Sequence, residues 1–142
     1  MGRKTEPHHL PCSEHDLAVR TGADVLKADR GGSVTYHGPG QLTAYMLLNL
    51  RGGNMGIHEH LDKLEEAAIR TIARFGIHGR RASGMTGVWV GEQASAAEKI
   101  CAVGVSARRW ITYHGLSLNV DLKLDPFLEI VPCGLEGKGV TT

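Results

Sequence analysis

Cys133 stands between Pro132 and Gly134, and Lys99 opens the apolar run Lys99-Ile100-Cys101-Ala102-Val103-Gly104-Val105. A thiol attacks as its thiolate, and a nearby ammonium lowers its pKa. A rigid residue before the thiol and a flexible one after it suit a nucleophile presented at a turn, with neighbouring amides free to stabilise an oxyanion. Together the two side chains would support covalent acyl chemistry. Spacing alone leaves open whether they meet, and a Pro-Cys-Gly turn serves structure more often than catalysis. Cys101, inside the apolar run, reads as core, and Cys12 lies in irregular sequence and reads as incidental.

A second constellation is the segment 30–41, RGGSVTYHGPGQ. Its glycines and proline exclude an ordinary helix or strand and let backbone amides approach a ligand, while Arg30, Tyr36, His37 and Gln41 offer polar groups of different reach. A decorated turn is the plainer alternative. The segment is neither a GxxxxGK[ST] phosphate loop nor a GxGxxG fingerprint, so nucleotide binding is not indicated. Thr35-Tyr36-His37-Gly38 recurs as Thr112-Tyr113-His114-Gly115, so two histidines could face one pocket from two strands, if the repeat is not chance. His8, His9, His15, His58, His60 and His78 lie in polar or helix-surface contexts and read as solvated.

These groups need a scaffold. The first thirty residues are polar and irregular and read as a loop wrapping a core built later, with 25–28 as a short strand. Residues 41–50 alternate and predict a well-buried strand. Ile57, Leu61, Leu64, Ala68, Ile72 and Phe75 form an apolar stripe at helical spacing, opened at Asn54 or Gly56 and closed by Gly76. Strands are expected over 85–91, 99–109 and 111–120, with 92–98 as an exposed hairpin loop. Asp125-Pro126 predicts a short helical turn. Strands, a helix and then a meander imply an α+β sheet with a helix on one face. The irregular start and the glycine-rich finish suggest a single domain over 1–142 that is partial at both ends.

Composition sets outer limits. The 42% apolar and 22% charged fractions over 142 residues are those of an ordinary globular domain, and the net charge of +1 carries no global signature for nucleic acid or membrane. Three widely spaced cysteines make neither a disulfide framework nor a structural zinc site, which favours a reducing, cytoplasmic setting. No metal is implied.

Three segments, 30–41, 99–119 (KICAVGVSARRWITYHGLSLN) and 130–141 (IVPCGLEGKGVT), closely resemble the lipoyl(octanoyl) transferase family in order and in lysine-to-cysteine spacing. That resemblance implies a mixed sheet flanked by helices, of the type found in lipoate and biotin protein ligase catalytic domains. It implies an acyl-thioester cysteine at Cys133 and a pKa-lowering lysine at Lys99. The acyl-binding segments fall on Arg30, Gly31, Gly32, Ser33, Val34, Thr35, Tyr36 and His37, on Ala102, Val103 and Gly104, and on Gly115, Leu116 and Ser117. An initial strand and helix and a final helix would be missing.

The implied reaction moves octanoyl from acyl carrier protein to the lysine of lipoyl domains, in 2-oxoacid dehydrogenase complexes and in the glycine cleavage H protein. It needs no cofactor, because the thioester is already activated. Arg80, Arg81, Arg108 and Arg109 are candidate docking charges for acidic partners. An ATP-dependent ligase of the same fold and an inactive, truncated binding module are the alternatives.

Overall fold

The computed structural model describes residues 1–93, 96–135 and 137–142. Five strands, β1 (Gln41–Tyr45), β2 (Arg80–Ala82), β3 (Met85–Val90), β4 (Glu98–Arg108) and β5 (Ile111–Asn119), form one sheet in the order β1-β5-β4-β3-β2. Neighbouring strands are antiparallel, and the parallel contribution among the described residues is an isolated bridge between Lys99 and Val140. Two α-helices, α1 (Glu14–Thr21) and α2 (Ile57–Ala73), and three short 3-10 turns, Pro7–His9, Asp125–Glu129 and Pro132–Gly134, complete the regular structure among the described residues. The expected α+β architecture with a helix on the sheet is present.

The apolar stripe of α2 explains its place. Ala68 and Ile72 are buried with Val88, Ile100, Cys101 and Leu118 of β3, β4 and β5 in one hydrophobic cluster, and Leu64 is buried on the same helix. A second cluster joins Leu17 of α1 to Val34, Leu122, Phe127 and Ile130. The N-terminal third therefore contains a helix where loop was expected. Ser13 caps it by accepting a hydrogen bond from the Asp16 amide, and Leu17 is its buried anchor. A single-anchor helix of this length leaves too faint a periodic signal to stand out from polar surroundings.

Other expectations need correction. Residues 25–28 form no strand; the amino group of Met1 donates to the Leu26 carbonyl and the Ala28 amide donates to the Met1 carbonyl. The strand expected over 41–50 ends at Tyr45 and lies at the sheet edge, with Leu42, Tyr45 and Leu47 exposed. Pairing becomes irregular there: the Thr112 hydroxyl donates to the Met46 carbonyl and accepts from the Leu48 amide, while the Met46 amide still donates to the His114 carbonyl and Asn49 bridges Ile111. Phe75 lies beyond the end of α2 and is exposed, because the Ile77 amide turns back to the Ile72 carbonyl at Gly76. The short strand β2 was not anticipated. In the expected loop 92–98, residues 94 and 95 lie outside the described residues.

Candidate active site

Lys99 lies near the start of β4, held on both sides by the chain that follows Cys133. Its amide donates to the Gly139 carbonyl at 2.9 Å, and its carbonyl accepts from the Thr141 amide at 3.0 Å. The residue is buried, with its ammonium 4.8 Å from the centroid of the Trp89 ring on β3. An ammonium over an aromatic face is attracted by the negative face of the ring.

Cys133 has φ 59° and ψ 12°, a left-handed conformation that a non-glycine residue adopts only where its surroundings impose it. Its amide donates to the Val34 carbonyl at 2.8 Å, and the amides of Gly134 and Leu135 donate to the carbonyls of Val131 and Pro132. The expectation of free amides around the thiol is therefore wrong: one is committed to Val34 and two to the turn itself. Gly134 has φ 68°, and a Cβ there would lie 2.9 Å from Cε1 and 3.0 Å from Nε2 of His9. Glycine is required by both conformation and space.

Lys99 and Cys133 line one cavity of about 420 Å³ between the sheet and the second hydrophobic cluster. Arg30, Gly32, Ser33, Val34, Thr35, Tyr36 and His37 line it from the glycine-rich segment. Ala102, Val103 and Gly104 line it from β4, and Gly115, Leu116 and Ser117 from β5. Gly31 does not; its amide donates to the Val105 carbonyl, fastening the segment to β4. A Cβ on Gly104 would lie 3.1 Å from the Gly31 carbonyl oxygen and 3.2 Å from Cδ of Arg30, so the bare strand allows that close approach. Leu17, Val25, Leu26 and Ile130 add apolar wall.

The electrostatics are cationic on one side. Arg30 Nη1 donates to the carbonyls of Gly31 and Ser33 at 3.1 and 2.8 Å. Burial lowers its pKa, and the thiolate form of Cys133 and the phenolate form of Tyr45 oppose that shift. Cys101 is fully buried and its thiol is pushed up to about 12, first by burial and further by Glu65, with Lys99 opposing. That agrees with the core reading of Cys101.

Both members of the repeated Thr-Tyr-His-Gly motif reach the cavity, through His37 and His114, although only the second lies on a strand. Of the histidines read as solvated, His9 and His60 are buried. Nδ1 of His9 lies 2.7 Å from the Ser33 hydroxyl and 3.0 Å from the Glu6 amide nitrogen, which donates to it. The His9 carbonyl accepts from the Val131 amide, so this residue ties the N-terminal segment to the cysteine turn. Only its adjacency to the apolar Leu10 hinted at that. Among the docking arginines, Arg81 pairs with Glu65 and Glu66 on α2, and Arg80 is half-buried. Arg108 and Arg109 are exposed at the β4–β5 turn.

Helix α2 thus packs on the sheet, and the cavity is walled by strands β1, β4 and β5 and by the glycine-rich segment. The model of the lipoyl protein ligase A/B catalytic domain matches residues 1–142, and the chain belongs to that family. It is 45% identical over 142 residues to an octanoyltransferase of Flavobacterium johnsoniae, covering 100% of this chain and 61% of that protein. It is 46% identical over 143 residues to an octanoyltransferase of Chloroflexus aggregans, covering 63% of it. The chain thus spans less than two thirds of the length of these relatives. The fold is similar to a bi-partite lipoate protein ligase of Thermoplasma acidophilum, with a TM-score of 0.68 at 16% identity over 92% of this chain and 48% of that one. No helix among the described residues is long and apolar enough to cross a membrane.

Proposed function

We propose that the chain transfers an octanoyl group from the thioester of acyl carrier protein to the lysine of a lipoyl domain, through a thioester on Cys133. The observation that carries this reading is that Lys99 and Cys133 line the same apolar-walled cavity, in a chain whose relatives are octanoyltransferases. Cys133 thiolate attacks the donor carbonyl, and the carrier thiol departs. The acceptor amine then attacks the acyl-enzyme and Cys133 departs in turn. The Lys99 ammonium stabilises the thiolate at both ends of this cycle. Each methylene buried in the slot contributes about 0.8 kcal/mol, so the apolar walls favour an aliphatic acyl group. Residues 30–37, 102–104 and 115–117 form the acyl-binding surface, with Gly31 acting through its bond to β4. The setting is the cytoplasm, and the acceptors are the lipoyl domains of 2-oxoacid dehydrogenases and the glycine cleavage H protein.

Intact-mass measurement after incubation with octanoyl-acyl carrier protein tests the reading. A gain of one octanoyl group, lost in Cys133→Ser and independent of ATP, is the expected result. Octanoyl transfer that requires ATP and free octanoate would point to a ligase, and no gain under either condition would point to a binding module; each overturns the proposal.

A further inference from the structure

From the glycine-rich segment to the residues after Cys133 runs a chain of side-chain hydrogen bonds whose direction is fixed at one end. Nδ2 of Asn119 donates to the Thr141 carbonyl at 2.7 Å. A backbone carbonyl only accepts, so Oδ1 of Asn119 faces Gln41 and accepts from its Nε2 at 2.8 Å. Gln41 Oε1 is thereby turned to His37 Nδ1 at 2.6 Å, and it too can only accept. The Nδ1 proton is thus specified by the protein. In the neutral ring Nε2 is a bare lone pair, with no hydrogen-bond partner among the described residues. His37 lines the large cavity and is exposed, whereas Gln41 and Asn119 line a small recess together with Lys99 and Cys133.

Resting on the transfer reading above, we propose that His37 Nε2 is the base that accepts the proton from the incoming acceptor lysine, with Gln41 and Asn119 as positioning residues that hold its tautomer. The acceptor arrives as an ammonium, which has no lone pair for attack. One proton passes to His37 Nε2, and the amine nitrogen bonds to the acyl carbon. The C–S bond then breaks with its electrons on Sγ, and the second nitrogen proton passes to that sulfur. The products are the amide, the Cys133 thiol and an imidazolium that returns its proton to water. The ring is suited to this task. Crowding by protein, then the Arg30 guanidinium and the amino group of Met1, hold its pKa below the ordinary histidine value, and the Gln41 bond opposes them. Asp24, Tyr36, Tyr45, Lys99, His114 and Cys133 are the other titratable groups on the same cavity.

The two half-reactions separate the possibilities. Octanoyl-N-acetylcysteamine loads Cys133, excess donor is removed, and Nα-acetyl-lysine amide is added while intact mass reports the loss of the acyl group. In His37→Gln the second half is expected to slow by roughly 10²-fold, at least tenfold more than the loading step, and to lose the histidine-range rise in its pH profile. Gln41→Glu presents an anionic acceptor to Nδ1 and is expected to move that rise to higher pH, which decides the matter even if His37→Gln folds poorly. A second half-reaction in both variants with the wild-type rate and pH midpoint overturns the role of His37 while leaving the transfer reading intact. Failure of Cys133 to load in the unaltered chain overturns both.

Discussion

The ammonium of Lys99 lies 4.8 Å from the centroid of the Trp89 ring, its registered partner across the β3–β4 pair. Both residues are buried. The ring face is a favourable contact for the ammonium, worth about 2 kcal/mol when desolvated. Trp89→Leu is expected to slow alkylation of Cys133 and acyl loading severalfold, while Trp89→Phe retains most of both. Iodoacetamide rates at fixed pH check this. Unchanged rates in Trp89→Leu would mean that the ring serves packing alone.

The two thiols near the sheet should be chemically distinct. Cys101 is fully buried with its thiol pushed up to about 12, whereas Cys133 is half-buried at the cavity. At mildly alkaline pH a small alkylating agent should modify Cys133 and leave Cys101 until the chain unfolds. Peptide mass mapping distinguishes the two sites.

Gly134→Ala should destabilise the cysteine turn. The φ of 68° costs an L-residue about 1–2 kcal/mol, and the added methyl meets the His9 ring at 2.9 Å. Urea denaturation should report a loss of that size or larger, accompanied by altered Cys133 reactivity. Wild-type stability would show that the turn tolerates both changes.

His60 predicts an acid limit. It is buried on α2, its Nε2 has no partner among the described residues, and burial lowers its pKa. With the folded value below the unfolded one, stability is complete above the ordinary histidine pKa. It falls as pH drops through the window between the two, where only the unfolded chain gains a proton. His60→Leu should flatten the decline of Tm in that window. A decline as steep as wild type would assign it to other groups.

The long periodic elements were legible: the stripe of α2, and strands β3, β4 and β5, where alternation and apolar runs coincide with burial. The candidate pair Cys133 and Lys99 was visible as chemistry, though its common cavity was not. What escaped the sequence depends on tertiary partners. The α1 helix has one buried anchor, Leu17, and β2 is too short for periodicity to register. β1 alternates like an interior strand yet lies at an edge, since period reports pairing geometry and not what covers the outer face. His9 and His60 sit among polar neighbours in sequence and become buried only when distant segments close over them. The amides around Cys133 appeared available because one acceptor, the Val34 carbonyl, lies far away in the chain, and the other two, on Val131 and Pro132, are reached only once the turn closes.

The stitch of Gly139 and Thr141 onto the backbone of Lys99 carries a consequence for biogenesis. The strand bearing the lysine leaves the ribosome well before the residues that clasp it, and the cysteine turn is fastened upstream at Val34. These clasping contacts have a long sequence separation and are made late. In the proposed pair, thiol and ammonium therefore come to share one cavity only on completion of the fold.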